Sequence, residues 1–413
     1  MLRAFDRTGI FTNDAMAAPG NLERRIITPN CITKVNSFIL QGPLLPQVLR
    51  RLRLQLSTHD SWHKERTQWL EPDCPESYPE DRESLLAFLK ILPSALEKLE
   101  RLECLWLNLT EYWESDYSGS NDGWAPRLDL VALDEFRNSL CSLFSPSYAH
   151  KFPFLTELRL ALPCTYDFAA LNKAMSDDAT RRLRHLYLEY VDATGPGGDR
   201  SYLIWAEDEN ADDGDDGFPP SNLQEEYPNY DYMPDICDLV GRCSNLESLG
   251  LHATHFLNLD HLDWKPSGTG LKNIYIHRAM IHVGTLKKIL SAADGESSNL
   301  AAMKLSYVQL LDHTWADVFD HLMRANVIKY LSFEDLNYAH RGTSAHLREF
   351  NNRQWETCST IWTENPADKD RLADLAKKVL DAGGLLGEFL DDEAEMAGYG
   401  ASHPNSEYLV GGW

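Results

Sequence analysis

The stretch SNLESLGLHATHF, Ser244 to Phe256, sets His252 and His255 three residues apart, with His261 behind them and His277 at a distance of 25 residues from His252. Neutral imidazole is a common ligand for divalent metals, and its titration near neutrality also suits a general base. A metal triad would need a third donor, and Glu189 is the carboxylate that holds the matching position one recognised repeat earlier. No helix motif reinforces that spacing, however, and a solvated polar face accounts for the same residues, so no metal site is assigned. The acidic run from Glu207 to Asp216, with seven acids, raises calcium as a ligand. Counted from Asp208, Asn210 and Asp212 fit a calcium loop. The sixth position is Asp213 where the turn needs glycine, and the twelfth is Pro219 where a bidentate glutamate belongs. Cys237 and Cys243 stand six apart on a predicted helix and its end, unlike a zinc C-x-x-C, and read as packing residues. There is no phosphate loop, no dinucleotide fingerprint after a strand and no G-x-S-x-G elbow. Catalytic residues and cofactors are therefore expected to be none, and the chain is not expected to be an enzyme. A hydrolase built from carboxylates on distant loops is the minor alternative.

The histidines gain an address from the elements that hold them. The pattern L-x-x-L-x-L recurs as LECLWL (102–107), LTELRL (155–160), LRHLYL (183–188), LESLGL (246–251), LKNIYI (271–276), LAAMKL (300–305) and IKYLSF (328–333), with fainter copies VNSFIL (35–40) and LRRLRL (49–54). Starts at 155 and 183 lie 28 apart, and those at 246, 271, 300 and 328 are separated by 25, 29 and 28. These intervals fall in the window of about 20–29 residues of leucine-rich repeats. The intervals 102 to 155 and 183 to 246 are about twice the period, so each holds an insertion or a degenerate repeat. Between hexads the apolar period lengthens to that of a helix in VALDEFRNSLCSLF, FAALNKAMSDDATRRL, PDICDLVGRC, VGTLKKILSAA and WADVFDHLMRA. The expected fold is α/β, a leucine-rich-repeat-like solenoid, an irregular horseshoe with parallel strands inside and helices outside.

The expected organisation is an N-terminal segment (1–34), an irregular array (35–340) with an acidic loop insertion at 205–232, and a C-terminal helical cap and loose tail (341–413). NLTEYWESDYSGSNDGWAPRLD (108–129) is expected to loop out, and SAHLREFNNRQWETCSTIW to be helical. With 63 acidic against 39 basic residues, a net charge of -24 repels nucleic-acid phosphates and an anionic membrane surface, so neither is expected as a partner. No apolar stretch approaches a membrane span or signal peptide, which sets a cytoplasmic or nuclear expectation. The eight scattered cysteines read as reduced thiols.

SNLESLGLHATHFLNLDHLDW, GLKNIYIHRAMI and HTWADVFDHLMRAN together resemble the leucine-rich-repeat-like regions of F-box-type proteins of filamentous fungi, over roughly Ile32 to Asn337. The resemblance implies a substrate-recognition subunit of an SCF-type ubiquitin ligase, with a Skp-type linker as partner only where an F-box is encoded upstream. No F-box is recognisable here, since about 34 residues precede the first hexad, and a repeat scaffold or regulator with no ligase link is the alternative. Hexad positions 3, 5 and 7, counted from the first Leu, are expected to line the open, concave face. There Trp106, Arg159, Tyr187, Glu189, His252, Tyr275, His277, Lys304 and Tyr330 supply aromatic and charged groups suited to binding another protein. The acidic loop is long enough to fold back over that face instead.

Overall fold

In the computed structural model the described residues are 50–55, 90–108, 130–190, 222–339, 349–351 and 359–387, apart from short gaps. The segments 1–34 and VNSFIL, the insertion 108–129 beyond Asn108, the acidic run Glu207–Asp216 and the C-terminal tail lie outside them. Two compact units emerge, one holding residues up to Cys243 with Ala253–His255, the other Ser244–His252 with Phe256 onward. Both are α/β with parallel strands that pair in chain order.

In the first unit, β1 (Arg51–Gln55), β2 (Cys104–Asn108), β3 (Glu157–Leu162) and β4 (His185–Tyr190) pair so that Arg51, Cys104, Glu157 and His185 share a row. Each is position 3 of its hexad, so the faint copy LRRLRL is a strand in phase with the rest. The same step recurs one residue earlier: the amide of Glu103 donates to Arg50 O (2.7 Å), Thr156 to Glu103 O (2.9 Å) and Arg184 to Thr156 O (2.8 Å). Direct pairing of β2 with β3 resolves the doubled interval between them. It is an insertion containing α1 (Leu130–Phe144) and the short α2 (Pro146–Ala149) and, among its described residues, no strand of its own in the sheet.

The helix expected over 168–183 is two: α3 (Thr165–Ala174) and α4 (Asp177–Arg182). Ser176 separates them because its hydroxyl accepts the Ala179 amide at 3.3 Å, and serine is a better N-cap than a helix interior residue. The segment 205–232, expected to be loop throughout, ends in α5 (Asn222–Glu226) and the start of α6 (Asn229–Arg242). The acids mask a helical pair in the sequence, Leu223 and Tyr227, which lie four apart. Leu223 is fully buried, and Tyr227 stacks on Tyr166 with centroids 4.2 Å apart. Polar clamps hold α6 against α3: Arg242 donates to the Asn172 carbonyl at 2.6 Å and the Met175 carbonyl at 2.7 Å, and Asn229 Oδ1 accepts the Thr165 amide at 2.9 Å.

In the second unit β5 (Ser248–Asn258), β6 (Asn273–Ile281), β7 (Ala302–Leu310) and β8 (Tyr330–Tyr338) again pair in hexad phase, with Ser248, Asn273, Ala302 and Tyr330 in one row. The strands run past the hexads. In β6, β7 and β8 the residues at position 8, Arg278, Tyr307 and Asp335, have φ of 57°, 54° and 47°. This left-handed conformation is uncommon for side-chain-bearing residues. It inserts one extra outward residue, so burial falls at positions 4 and 6 and resumes at 9: Ile274, Ile276 and Ala279; Met303, Leu305 and Val308; Leu331, Phe333 and Leu336.

Helices α7 (Val283–Ile289) and α8 (Trp315–Leu322) return the chain between strands. The sheet continues past 340, and the described residues of the segment 344–362, expected to be helical, are strands. They form β9 (Glu349–Asn351) and β10 (Ser359–Trp362); β10 pairs parallel with β8, and β9 antiparallel with β10. β-branched Thr360 and Ile361 favour a strand, and Ile361 is fully buried beside the Leu336 row. The expected C-terminal helix forms as α9 (Pro366–Asp381), followed by β11 (Leu385–Leu386), which pairs with the start of β8. Among the described residues no helix is long and apolar enough to cross a membrane.

Asp368 ties these last elements together. Its carboxylate is fully buried and accepts the Ala316 amide at the start of α8 (2.8 Å), the Thr363 hydroxyl (2.6 Å) and the Tyr338 hydroxyl at the end of β8. Tyr338 in turn accepts the Trp315 amide at 3.0 Å, and Trp315 Nε1 donates to the Asn337 carbonyl at 3.0 Å. Removing the acceptor leaves buried donors unpaired, at about 1–3 kcal/mol each. Asp368→Ala is expected to lower unfolding stability in urea by about 3–5 kcal/mol, and Asp368→Asn by less. A loss under about 1 kcal/mol for the alanine variant would remove Asp368 from that role.

Candidate interaction face

The rows that turn away from the buried leucines gather the polar and aromatic side chains of both units. In the first unit, position 5 places Trp106, Arg159 and Tyr187 side by side on β2, β3 and β4, and position 7 places Asn108, Ala161 and Glu189. Trp106, Tyr187 and Glu189 are half-buried. Arg159 departs from the expectation of an open binding residue, being only 7% exposed. The reason is local: Glu157 stands two residues before it on the same side of β3, and Arg159 Nε donates to Glu157 Oε1 at 2.7 Å. The guanidinium carbon also lies 5.2 Å from the centroid of Trp106. Arg51 reaches past small Cys104 to the same carboxylate, 3.0 Å away. Burial pushes the Glu157 carboxyl up, but Arg159 and Arg51 outweigh it and hold it below the usual range. Arg159 is committed to this internal pair.

The described cysteines are free thiols, and all but half-buried Cys141 are buried. Burial pushes Cys104 and Cys243 up to about 12 and Cys141 up to about 11, so they stay protonated and weakly nucleophilic at neutral pH. Among the described residues no three His, Cys, Asp or Glu side chains converge as metal ligands.

In the second unit the outward rows form a denser cluster. Position 5 aligns Gly250, Tyr275, Lys304 and Ser332; position 7 aligns His252, His277, Ser306 and Glu334. The rings of His252 and His277 meet edge to face at 4.4 Å, and His277 meets Tyr307 edge to face at 5.3 Å. Lys304 Nζ lies 5.5 Å from the centroid of Tyr275, and the Arg278 guanidinium 5.6 Å from that of Tyr307. The Glu334 carboxyl lies close enough to the Ser306 and Tyr307 hydroxyls to feel both, yet the buried Ser306 hydroxyl makes no hydrogen bond of proper geometry. Burial raises the Glu334 carboxyl above its ordinary value, although Ser306 and Lys304 oppose the shift. Burial also pushes Tyr307 up to about 12, helped by Glu334 and Asp335.

Of the residues expected to bind, His252, Tyr275, His277, Lys304 and Tyr330 all fall on this outward side and are half-buried. Tyr330 sits at its edge, covered by the chain after β11: a side chain on Gly387 would collide with the Tyr330 hydroxyl. The position 8 residues Arg278, Tyr307 and Asp335 join the face as well, outside the expected positions 3, 5 and 7. Their signal lay in the apolar spacing 4, 6, 9 and 11, as in Ile274, Ile276, Ala279 and Ile281, which leaves two consecutive outward positions between 6 and 9.

The chain matches no protein-family model and no curated protein.

His277 carries the clearest solution signature. Burial first, then the charges of His252, Arg278 and Lys304, push its imidazole down to about 2 from an ordinary 6.5. The folded form keeps it neutral, whereas the unfolded chain takes up a proton below about pH 6.5. Stability from this group is therefore present above pH 6.5 and lost as pH falls, by about 1.4 kcal/mol per unit toward pH 2. Urea titrations at pH 7 and 5 are expected to show a smaller acid loss in His277→Gln than in the native chain. Equal losses would refute the buried neutral imidazole.

Proposed function

We propose that the chain is a protein-interaction module, a leucine-rich-repeat-like array whose outward face on β5–β8 binds another protein. The observation that carries this reading is the cluster there of half-buried aromatic rings, Tyr275, Tyr307, His252 and His277, beside the half-buried charged residues Arg278, Lys304, Glu334 and Asp335. Rings with a polar surround supply large contact area at low entropic cost, as in protein-binding hot spots. Strands pairing in chain order at hexad phase, each followed by a helix or an insertion, support the repeat reading. The ubiquitin-ligase role rests on the resemblance to F-box-type proteins alone, and co-purification of a Skp-family linker with the chain tests it.

A photo-reactive benzoylphenylalanine placed at Tyr307 is expected to give discrete protein adducts in cells, while the same group at exposed Leu380 on α9 gives none. Equal labelling at the two positions would overturn the assignment of binding to this face.

A further inference from the structure

The charges on the second unit's outward face are sorted by strand. Arg278 stands on β6 and Lys304 on β7, whereas Glu334 and Asp335 stand together on β8. In register, Arg278 and Asp335 flank Tyr307 from the two neighbouring strands, and Lys304 lies one strand over and two residues along from Glu334. With strands about 4.8 Å apart and about 3.3 Å per residue, both opposite-charge pairs span roughly 8–10 Å. Lys304 lies over the Tyr275 ring instead of reaching Glu334, and among the described residues neither of the two is held in an ion pair. Ser306 shares the row of Glu334 on the neighbouring strand β7, two residues past Lys304, and is fully buried with no hydrogen bond to its hydroxyl. Such a face is neutral in sum and dipolar in pattern.

We infer that this face takes a partner segment carrying one acidic and one basic side chain, laid across the strands with the acid over Arg278 and Lys304 and the base over Glu334 and Asp335. The inference rests on the interaction reading above and adds to it the chemistry of the partner. A wholly acidic segment would set charge against Glu334 and Asp335, and a wholly basic one against Arg278 and Lys304. Like charges held close together at an interface cost several kcal/mol, which outweighs a favourable contact elsewhere. The overall charge of -24 does not reverse this choice, because at physiological salt it is screened beyond about 8 Å. In an extended segment, side chains two to three residues apart match the spacing of roughly 8–10 Å. Tyr275 and Tyr307 then pack against the apolar stems of the guest, and Ser306 gains a hydrogen-bond partner.

Three fluorescent nine-residue peptides on one Ser-Thr-Tyr frame test this, bearing Glu and Lys three residues apart, two Glu, or two Lys. By anisotropy the mixed peptide is expected to bind the native chain at least about tenfold tighter than the other two. Arg278→Glu with Lys304→Glu should move the preference to the two-Lys peptide, and Glu334→Lys with Asp335→Asn to the two-Glu peptide. A gained preference cannot arise from unfolding, so these variants remain informative even if less stable. An order of preference that the charge reversals leave unchanged, or binding of no peptide, overturns the inference. If Tyr307 still captures a protein in that case, the face binds through other chemistry and the interaction reading survives; if capture also fails, both fall.

Discussion

The face of the second unit depends on a single backbone departure repeated three times, the left-handed residue at position 8 of β6, β7 and β8. A straight strand alternates sides, so burial of positions 4 and 6 would send positions 8 and 10 inward and 9 outward. The left-handed step lets 9 return to the core and turns 7 and 8 outward together. That one change brings Arg278 beside His277, Tyr307 beside Ser306 and Asp335 beside Glu334. It costs on the order of 1–2 kcal/mol per residue that is not glycine. Because all three strands kink at the same row, their pairing continues in phase beyond it, as Ala279 opposite Val308 shows. Burial of Ala279, Val308 and Leu336 offsets the strain.

Much of this was legible in the residues. The hexads set the strand cores and their mutual phase, because leucines at period 2 followed by a helical period leave few other ways to bury both faces. Phase alone placed His252 beside His277 and Tyr275 beside Lys304. What escaped was decided by contacts distant in sequence. Nothing in RLRLQL announces whether a weak hexad pairs, and only its β2 neighbour settles it. The strands at 349–351 and 359–362 carry no hexad, and their assignment comes from pairing on β8. Arg159 is buried against expectation for a related reason. Register gave its side of the sheet, but not that Glu157 and Trp106 would close over its guanidinium.

The units also share a way of starting helices. The first amides of a helix have no partner within it, and here several are taken by a side chain from elsewhere in the fold. Val283 donates to Asp312 Oδ1 at 2.8 Å, while the neighbouring His282 amide donates to Asp260 Oδ1 at 2.8 Å. Ala316 donates to Asp368, and Thr165 to Asn229. An acidic cap also complements the positive end of the helix dipole. Part of the chain's abundance of aspartate is thereby spent inside the architecture, where composition alone would have read it as surface charge.

These borrowed caps give the chain a direction in time. Asp312, Asp368 and Asn229 lie 29, 52 and 64 residues downstream of the amides they satisfy. A ribosome adding about 5–20 residues per second leaves those amides waiting from about one to more than ten seconds for their partners. Each of these helices begins as an open end during synthesis and is sealed by a later part of the chain. A C-terminal truncation that just removes Asp368 therefore unseals α8 upstream of the cut, whereas loss of the same length from the N-terminus leaves these three seals in place.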